Sequence, residues 1–392
     1  MRIAIDFSHY LIPGGIRTLL GNQLRALLAV APEHDYTLCY RGLGARPEAP
    51  PLPQGAPVRT AWIRAPRRVL SACEHLLGWP PVQYWTGPID VYHGTHFALP
   101  PARGARRVLT VQDLAYLRMP ELYADRRLND YGYRVLLPRA LAAADGIIAI
   151  SHATAHDLAE LRGIAAERIW VIPLGIDPRF GRPAPEDAAH APAALDDGRR
   201  YVLYPAGTLE PRKNIDNVLR AFARAFPSRG NRPRLVITGV GGLPRRSVEL
   251  ARALRVGEDV RCIEADYPAG IAALMRGAAW GMYLSLYEGF GLPVLEGMAC
   301  GMPLLVSRVS SIPEVAGDAA MFVDPRDIEA IADGMRTLDG SDALRAALAA
   351  KGRARAALPG FAWERAARQL AAAYRDDAAA FGAEPDPCPT EA

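Results

Sequence analysis

The stretch "GMYLSLYEGFGLPVLEGMACGMPLLVS", residues 281–307, holds a strand, a loop, a helix and a second strand in succession. "GMYLSL" (281–286) and "PLLVS" (303–307) are apolar runs of strand length. Between them Pro293 marks a helix start, because proline is tolerated best at a first helical position, and Gly301 marks its end. Short apolar strands alternating with helices mean a parallel sheet covered on both faces.

The same rhythm extends outward. In the first half "RIAIDF" (2–7), "YTLCY" (36–40), "VRTAWI" (58–63), "DVYHG" (90–94), "RVLTVQ" (107–112), "GIIAIS" (146–151) and "IWVIPLG" (169–175) read as strands. "IRTLLGNQLRALLAV" shows helical spacing, and 127–145 reads as a helix kinked at a proline. Residues 176–200 hold four prolines and no sustained periodicity, which suits a linker. The alternation then restarts with "YVLYPAG" (201–207), a helix at 215–226, and strands at 234–239, 260–265, 281–286, 303–307 and 320–324. Helices through 328–357 and 362–380 precede a polar, proline-containing tail that reads as disordered.

The expected fold is therefore α/β, with two Rossmann-like domains whose parallel sheets face a cleft. The boundaries are 1–178 for the first domain, 179–200 for the linker, 201–361 for the second domain and 382–392 for the tail. In such sheets ligands sit at the carboxyl ends of the strands. The Gly14-Gly15 loop, the 208–214 loop and the 287–292 loop all fall there.

Composition narrows the class. The 392 residues are half apolar and 22% charged, as in a globular protein of two domains. No apolar run approaches the ~20 residues of a membrane helix. Asp6 interrupts the first apolar run, which reads as a strand and not a leader, so a cytoplasmic protein is expected. Five cysteines (39, 73, 262, 300, 388), with no CxxC pair, disfavour a disulfide framework and structural zinc.

The net charge of +4 lies wholly in residues 1–190, with 21 basic and 17 acidic residues against 25 of each in 191–392. Basic residues at 64, 67, 68, 103, 106, 107, 126 and 127 cluster along the first domain. They read as a solvated surface or as peripheral contact with an anionic membrane. No aromatic-interleaved basic motif points to nucleic acid.

Glu288 and Glu296 bracket Gly289, Phe290, Gly291, Leu292 and Pro293. The glycines let backbone N–H groups approach a ligand, Glu288 lies on the loop, and Glu296 is expected in the first helical turn. Acting singly, Glu296 could simply complement the helix dipole and Glu288 be solvated. In "GTLEPRKN" (207–214), Arg212 and Lys213 precede a helix expected to be capped by Asn214. A basic pair there opposes the dipole and calls for an anionic partner, such as a diphosphate. Lys213 is one of only two lysines, with Lys351. "LVITGVGGLP" (235–244) has proline where a dinucleotide fingerprint needs its third glycine, and reads as a turn. "DVYHGTH" sets His93 and His96, and "TVQD" sets Gln112 and Asp113, at strand carboxyl ends. No HxH or Asp-x-Asp pairing suggests a metal site.

These residues together resemble the retaining GT-B glycosyltransferases of family 4, the glycosyl transferases group 1, over nearly the whole chain. "SLYEGFGLPVLEGMACGMPLLVS" matches that family's E-x7-E motif, and "GTLEPRKN", "SSIPEVAGDAAMFVDP" and "VIPLGIDPRF" are similar to its recurring segments. The resemblance implies that Glu296 accepts hydrogen bonds from the nucleotide ribose. Glu288, with Gly289 and the backbone of Phe290, Gly291 and Leu292, would contact the donor sugar. Arg212 and Lys213 would neutralise the diphosphate, and Gly14-Gly15 would let the first domain close on it. His93 or His96 would lie near the donor sugar, and Gln112 stands where many relatives have histidine, with Asp113 beside it on the acceptor side. The last helix, about 362–381, would cross back to the first domain. No cofactor and no metal are implied. The expected donor is GDP-mannose, with UDP- and dTDP-sugars as alternatives. The expected acceptor is a saccharide or lipid-linked saccharide, or else a soluble acceptor. A catalytically silent sugar-nucleotide-binding partner is the reading outside the enzyme class.

Overall fold

The structure is a computed structural model. It describes the chain except residues 12–14, 45–49, 54, 98, 124–130, 183–194, 196–197, 229, 231, 383–385 and 389–392, and the side chains of residues 67, 68, 75 and 76. The chain divides into two compact units, Met1–Gly175 with Ala362–Asp386, and Ile176–Phe361 with the chain end from Pro387.

Apolar strand sequences become buried strands in both. The first unit contains β1 (Arg2–Asp6), β2 (Asp35–Arg41), β3 (Val58–Ile63), β4 (Val91–Gly94), β5 (Arg106–Val111), β6 (Gly146–Ala149) and β7 (Ile169–Val171). They hydrogen-bond in the order β3-β2-β1-β4-β5-β6-β7. The second contains β8 (Tyr201–Gly207), β9 (Arg234–Gly239), β10 (Val260–Ile263), β11 (Trp280–Tyr283), β12 (Leu304–Ser307) and β13 (Met321–Val323), ordered β10-β9-β8-β11-β12-β13. Every pairing is parallel. All six residues of β9 are buried, as in a sheet covered on both faces. Both orders are those of a doubly wound Rossmann-like sheet, in which the strand order reverses at a switch point. That point lies between β1 and β4 in the first unit and between β8 and β11 in the second.

The chain leaves the first unit at Gly175 and returns at Ala362. Only glycine fits at the departure, because a Cβ there would lie 2.5 Å from the Trp363 backbone nitrogen. The returning helix, Trp363–Arg375, packs on the helix Gly15–Val30. It closes on β4 through Tyr374, whose hydroxyl is 2.8 Å from Nδ1 of the buried His93, while His93 Nε2 is 2.7 Å from Thr110 Oγ1.

Some expectations shift. The expected linker at 179–200 starts inside the second unit, where Pro178–Gly181 is helical and Phe180 is wholly buried. The tail expected to be disordered includes Cys388, which is buried, and Pro387, which packs against Gly360. In 127–145, residues 127–130 lie outside the described set; a π-helical turn, Gly132–Leu136, runs into the helix Leu137–Ala143 with Pro138 in its first turn. Pro138 thus lies inside one continuous helical stretch, directly after the π-turn that interrupts its α-helical ladder. Within the basic cluster, Arg106 pairs with Asp376 at 2.5 Å and Arg107 with Asp145 at 3.6 Å. Residues 126 and 127 lie outside the described set.

Removing the Tyr374 hydroxyl leaves a ring nitrogen of His93 buried without its partner. Tyr374→Phe is expected to lower the stability of the first unit by about 1–3 kcal/mol, read as a lower urea midpoint.

Candidate functional site

The second unit's switch point is built by loops that hold one another in place. After β8 the chain makes a 3-10 turn, Pro211–Lys213, before the helix Ile215–Ala225. Asn214 occupies the position before that helix, but its side chain does not cap it. The amide instead donates to the carbonyls of Leu284 (3.1 Å) and Pro325 (2.7 Å), tying this loop to the one after β11. The Leu286 N–H donates to the Arg212 carbonyl at 2.8 Å, and Tyr204 donates its hydroxyl to the Lys213 carbonyl at 2.6 Å.

This weave brings the two sequence motifs into one cluster. Lys213 Nζ is 2.7 Å from Glu288 Oε1, and Arg212 Nη1 is 2.5 Å from Oε2. The anion that the basic pair requires is therefore Glu288 itself. Lys213 also donates to the Tyr283 hydroxyl at 2.6 Å. The Glu288 backbone is gripped at both ends: its N–H donates to Ser310 Oγ, and Ser311 Oγ donates to its carbonyl, each at 2.9 Å. Burial by itself would raise the pKa of Glu288, but the Arg212 and Lys213 charges outweigh it and hold the carboxylate at about 2. The same burial lowers Lys213 below its ordinary value, against the opposing pull of Glu288.

Glu296 stands elsewhere than expected. The helix Leu292–Ala299 starts after Gly291, whose φ of +100° suits glycine and whose absent Cβ would meet Ile312 Cδ1 at 2.7 Å. Pro293 is in the first turn, and Glu296 falls beyond it. Its carboxylate is buried and accepts a hydrogen bond from the Tyr267 hydroxyl at 2.8 Å. Among the described residues it has no cationic partner. Burial, against the Tyr267 bond and with Asp177 nearby, raises its pKa to about 7. A buried carboxylate past the first turn does not serve the helix dipole, so that bland reading fails.

Phe290 is buried between the two glutamates, and Leu292 is half-buried. A hollow of about 350 Å³ opens at the carboxyl ends of β8, β9 and β10, lined by Gly239, Val240, Glu264, Asp266, Gly270 and Ile271 among others. Glycines 241 and 242 turn the chain there, and the Gly241 N–H donates to Glu264 at 2.8 Å.

In the first unit, the switch point brings together His9, after β1, and His96, after β4, with rings stacked at 4.0 Å. His96 also meets Phe97 edge-on at 3.7 Å. His93 corrects the expectation that it could equally face a ligand. It is wholly buried, shares hydrogen bonds through both ring nitrogens, and burial lowers its pKa to about 3, so it stays neutral. Asp113 accepts from the Ala115 N–H (3.1 Å) and the Tyr133 hydroxyl (3.2 Å). The Gln112 amide nitrogen is buried with no partner among the described residues. Gly15 begins its helix, and Gly14 lies outside the described residues.

Sequence reasoning passed over His9, Tyr267, Tyr283 and Ser310. His9 had a signal, since it follows the first strand directly in "DFSHY". The tyrosines read as ordinary strand or loop residues, and only the fold brings their hydroxyls to the carboxylate and the lysine. Among the described residues, no group of His, Cys, Asp and Glu gathers as metal ligands would.

Comparison with known proteins gives these features a family. The family model described as "Glycosyltransferase Family 4" matches residues 13–180, and that described as "Glycosyl transferases group 1" matches 186–355. The O-antigen chain mannosyltransferase B of Escherichia coli is 31% identical over 291 residues, covering 73% of this chain and 74% of that protein. This chain belongs to the family 4 glycosyltransferases. The D-inositol 3-phosphate glycosyltransferase of Actinosynnema mirum is 31% identical, over 74% of this chain and 70% of its own length. Among solved structures, the sucrose-phosphate synthase of Thermosynechococcus elongatus superposes with a TM-score of 0.76 at 20% identity, covering 98% of this chain and all 100% of that one. Anabaena Alr3699/HepE, solved with UDP-glucose, gives 0.70 at 16% identity, with 96% and 100% covered. These structural likenesses concern the fold, which for this glycosyltransferase is GT-B.

The Glu296 environment sets a pH dependence. Its folded pKa lies above the unfolded value of 4.5, so the folded state keeps this proton longer, and stability falls as pH rises from about 4.5 to 7. Glu296→Gln removes that loss. The variant is expected to exceed the wild type by up to about 3 kcal/mol at pH 8, a gain that vanishes near pH 4, in urea unfolding at the two pH values.

Proposed function

We propose that this glycosyltransferase transfers a hexose, with retention of configuration and without a metal, from a nucleotide-diphosphate sugar to a saccharide or lipid-linked saccharide. The observation that carries the reading is the Glu288–Arg212–Lys213 cluster at the second unit's switch point, with the buried Glu296 on the following helix. Arg212 and Lys213 take the diphosphate, exchanging Glu288 for it. Glu288 then turns its carboxylate to the hydroxyls of the donor sugar, beside Gly289 and the backbone N–H groups of Phe290, Gly291 and Leu292. Glu296 accepts from the ribose hydroxyls, and the hollow by Val240 and Ile271 takes the base.

The chemistry follows from charge. As the bond from the anomeric carbon to the diphosphate oxygen breaks, its electron pair leaves with the diphosphate. Arg212 and Lys213 stabilise that developing negative charge. The acceptor oxygen bonds to the anomeric carbon on the same face, and its proton passes to the departing phosphate. In the first unit, His96, Gln112 and Asp113 serve the sugar and acceptor side, a role carried by the family resemblance.

GDP-mannose is the proposed donor, supported by two relatives that are named as mannosyltransferases. A UDP-sugar is the second reading, because Alr3699/HepE was solved with UDP-glucose.

Calorimetry with GDP, UDP and dTDP, in EDTA, tests the reading. One nucleotide is expected to bind well above the others. Glu296→Ala removes bonds to a charged acceptor, worth roughly 1.5–3 kcal/mol, so affinity is expected to fall about 10- to 150-fold. Absence of binding to any of the three would overturn the nucleotide-sugar reading, and binding without transfer would favour the silent partner. Restoration of binding only on adding a divalent ion would overturn metal independence. Transfer assays of Arg212→Ala are expected to lose more in kcat than in KM, since its charge matters most as the diphosphate departs.

A further inference from the structure

The hollow at the carboxyl ends of β8, β9 and β10 carries charge of one sign. Glu264 and Asp266 line it, and no lysine or arginine does. Neither carboxylate forms an ion pair among the described residues. Glu264, the residue after β10, is held in place, because its Oε1 accepts the Gly241 N–H at 2.8 Å. A carboxylate has about four lone-pair sites, so that bond leaves most of them open. The Asp266 carboxylate is not anchored among the described residues; only its backbone carbonyl is engaged, by the Ile271 N–H at 3.1 Å. Thr238, only 3% exposed, lines the same hollow, and its hydroxyl has no hydrogen-bond partner among the described residues. A hydroxyl so enclosed calls for a partner from a ligand. Val240, 68% exposed, and the half-buried Ile271 supply apolar contact beside these groups.

An anchored carboxylate selects among bases. It only accepts hydrogen bonds, so the edge it meets must donate. Guanine carries two donors side by side, N1–H and the N2 amine, which match the two oxygens of one carboxylate in a bidentate, charge-assisted contact. Uracil and thymine carry a single N–H between two carbonyl oxygens, so the second carboxylate oxygen would face a carbonyl. Adenine and cytosine each set one amine beside a bare ring nitrogen, with the same result. One group therefore attracts guanine and repels the other bases, and specificity is a difference of that kind.

We infer that Glu264 is the base-reading residue of the donor site, accepting N1–H on one carboxylate oxygen and the N2 amine on the other, so that the hollow takes a guanine nucleotide. The inference rests on the nucleotide-sugar reading of the second unit and separates its two candidate donors by chemistry held within the hollow. The Gly241 N–H is what aims the carboxylate. A glutamate side chain left free would lose more rotamer freedom on meeting a base. Asp266 lacks that anchor, so it adds negative field without a fixed direction.

The test is calorimetry of the full chain with GDP, IDP, XDP and UDP, with and without magnesium. IDP lacks the N2 amine and is expected to bind the wild type about tenfold more weakly than GDP. Xanthine has a carbonyl where guanine has the amine, so XDP is expected to bind more weakly still. Glu264→Gln puts a donating NH2 in place of one acceptor oxygen, which suits that carbonyl. The variant is expected to lose roughly 10- to 150-fold in GDP affinity and to bind XDP more tightly than the wild type does. The gain of XDP binding also reports that the variant folds. Asp266→Asn is expected to shift neither preference. Equal binding of GDP and IDP by the wild type, UDP binding tighter than GDP, unchanged GDP affinity in Glu264→Gln, or a base exchange carried by Asp266→Asn would each overturn the Glu264 assignment and leave the nucleotide-sugar reading standing. No binding of any nucleotide under either condition would overturn both.

Discussion

A carboxylate cannot be ionised in a buried loop unless opposite charge and hydrogen bonds replace the water it has lost. Glu288 meets that condition through Arg212 and Lys213, which come from a different loop more than seventy residues earlier. Meeting it fixes a good deal else. The 208–214 and 284–291 loops must lie side by side, so Asn214 gives up its capping role to hold Leu284 and Pro325. Ser310 and Ser311, beyond β12, must fix the Glu288 backbone. Three loops at the end of one sheet are thereby organised around a single charge.

The alternation of apolar strands and helices was legible in the sequence, because strands buried on both faces need near-continuous apolar runs such as "RLVITG" and "GMYLSL". So were the residue types of the site. Their partners were not. The spacing of Glu288 and Glu296 says nothing of Tyr267, and a basic pair before a helix does not disclose which anion answers it. Glu296 was misplaced by part of a turn because Pro293 was read as the first helical residue, whereas Gly291 ends the loop and Leu292 opens the helix. That shift changes the physics, from a solvated group near a dipole to a buried carboxyl with one phenolic donor.

The histidines of "HGTH" show the limit from the other side. Three residues apart, His93 and His96 are alike in sequence. Strand alternation and the sheet's covering helix make one a buried neutral core residue, while the other stacks on His9 at the switch point. The deciding contact, from Tyr374, is 281 positions away and invisible to any local reading.

That distance also bears on how the protein is made. The chain enters the second unit at Ile176, leaves it at Phe361 and rejoins it only from Pro387, so most of that unit's sequence is translated before the helix Trp363–Arg375. The first unit, begun earlier, still lacks one helix at that point. Until Trp363–Arg375 emerges, the helix Gly15–Val30 lacks its covering partner and His93 lacks its phenol. On the ribosome most of the second unit is therefore translated while the first still awaits its final helix.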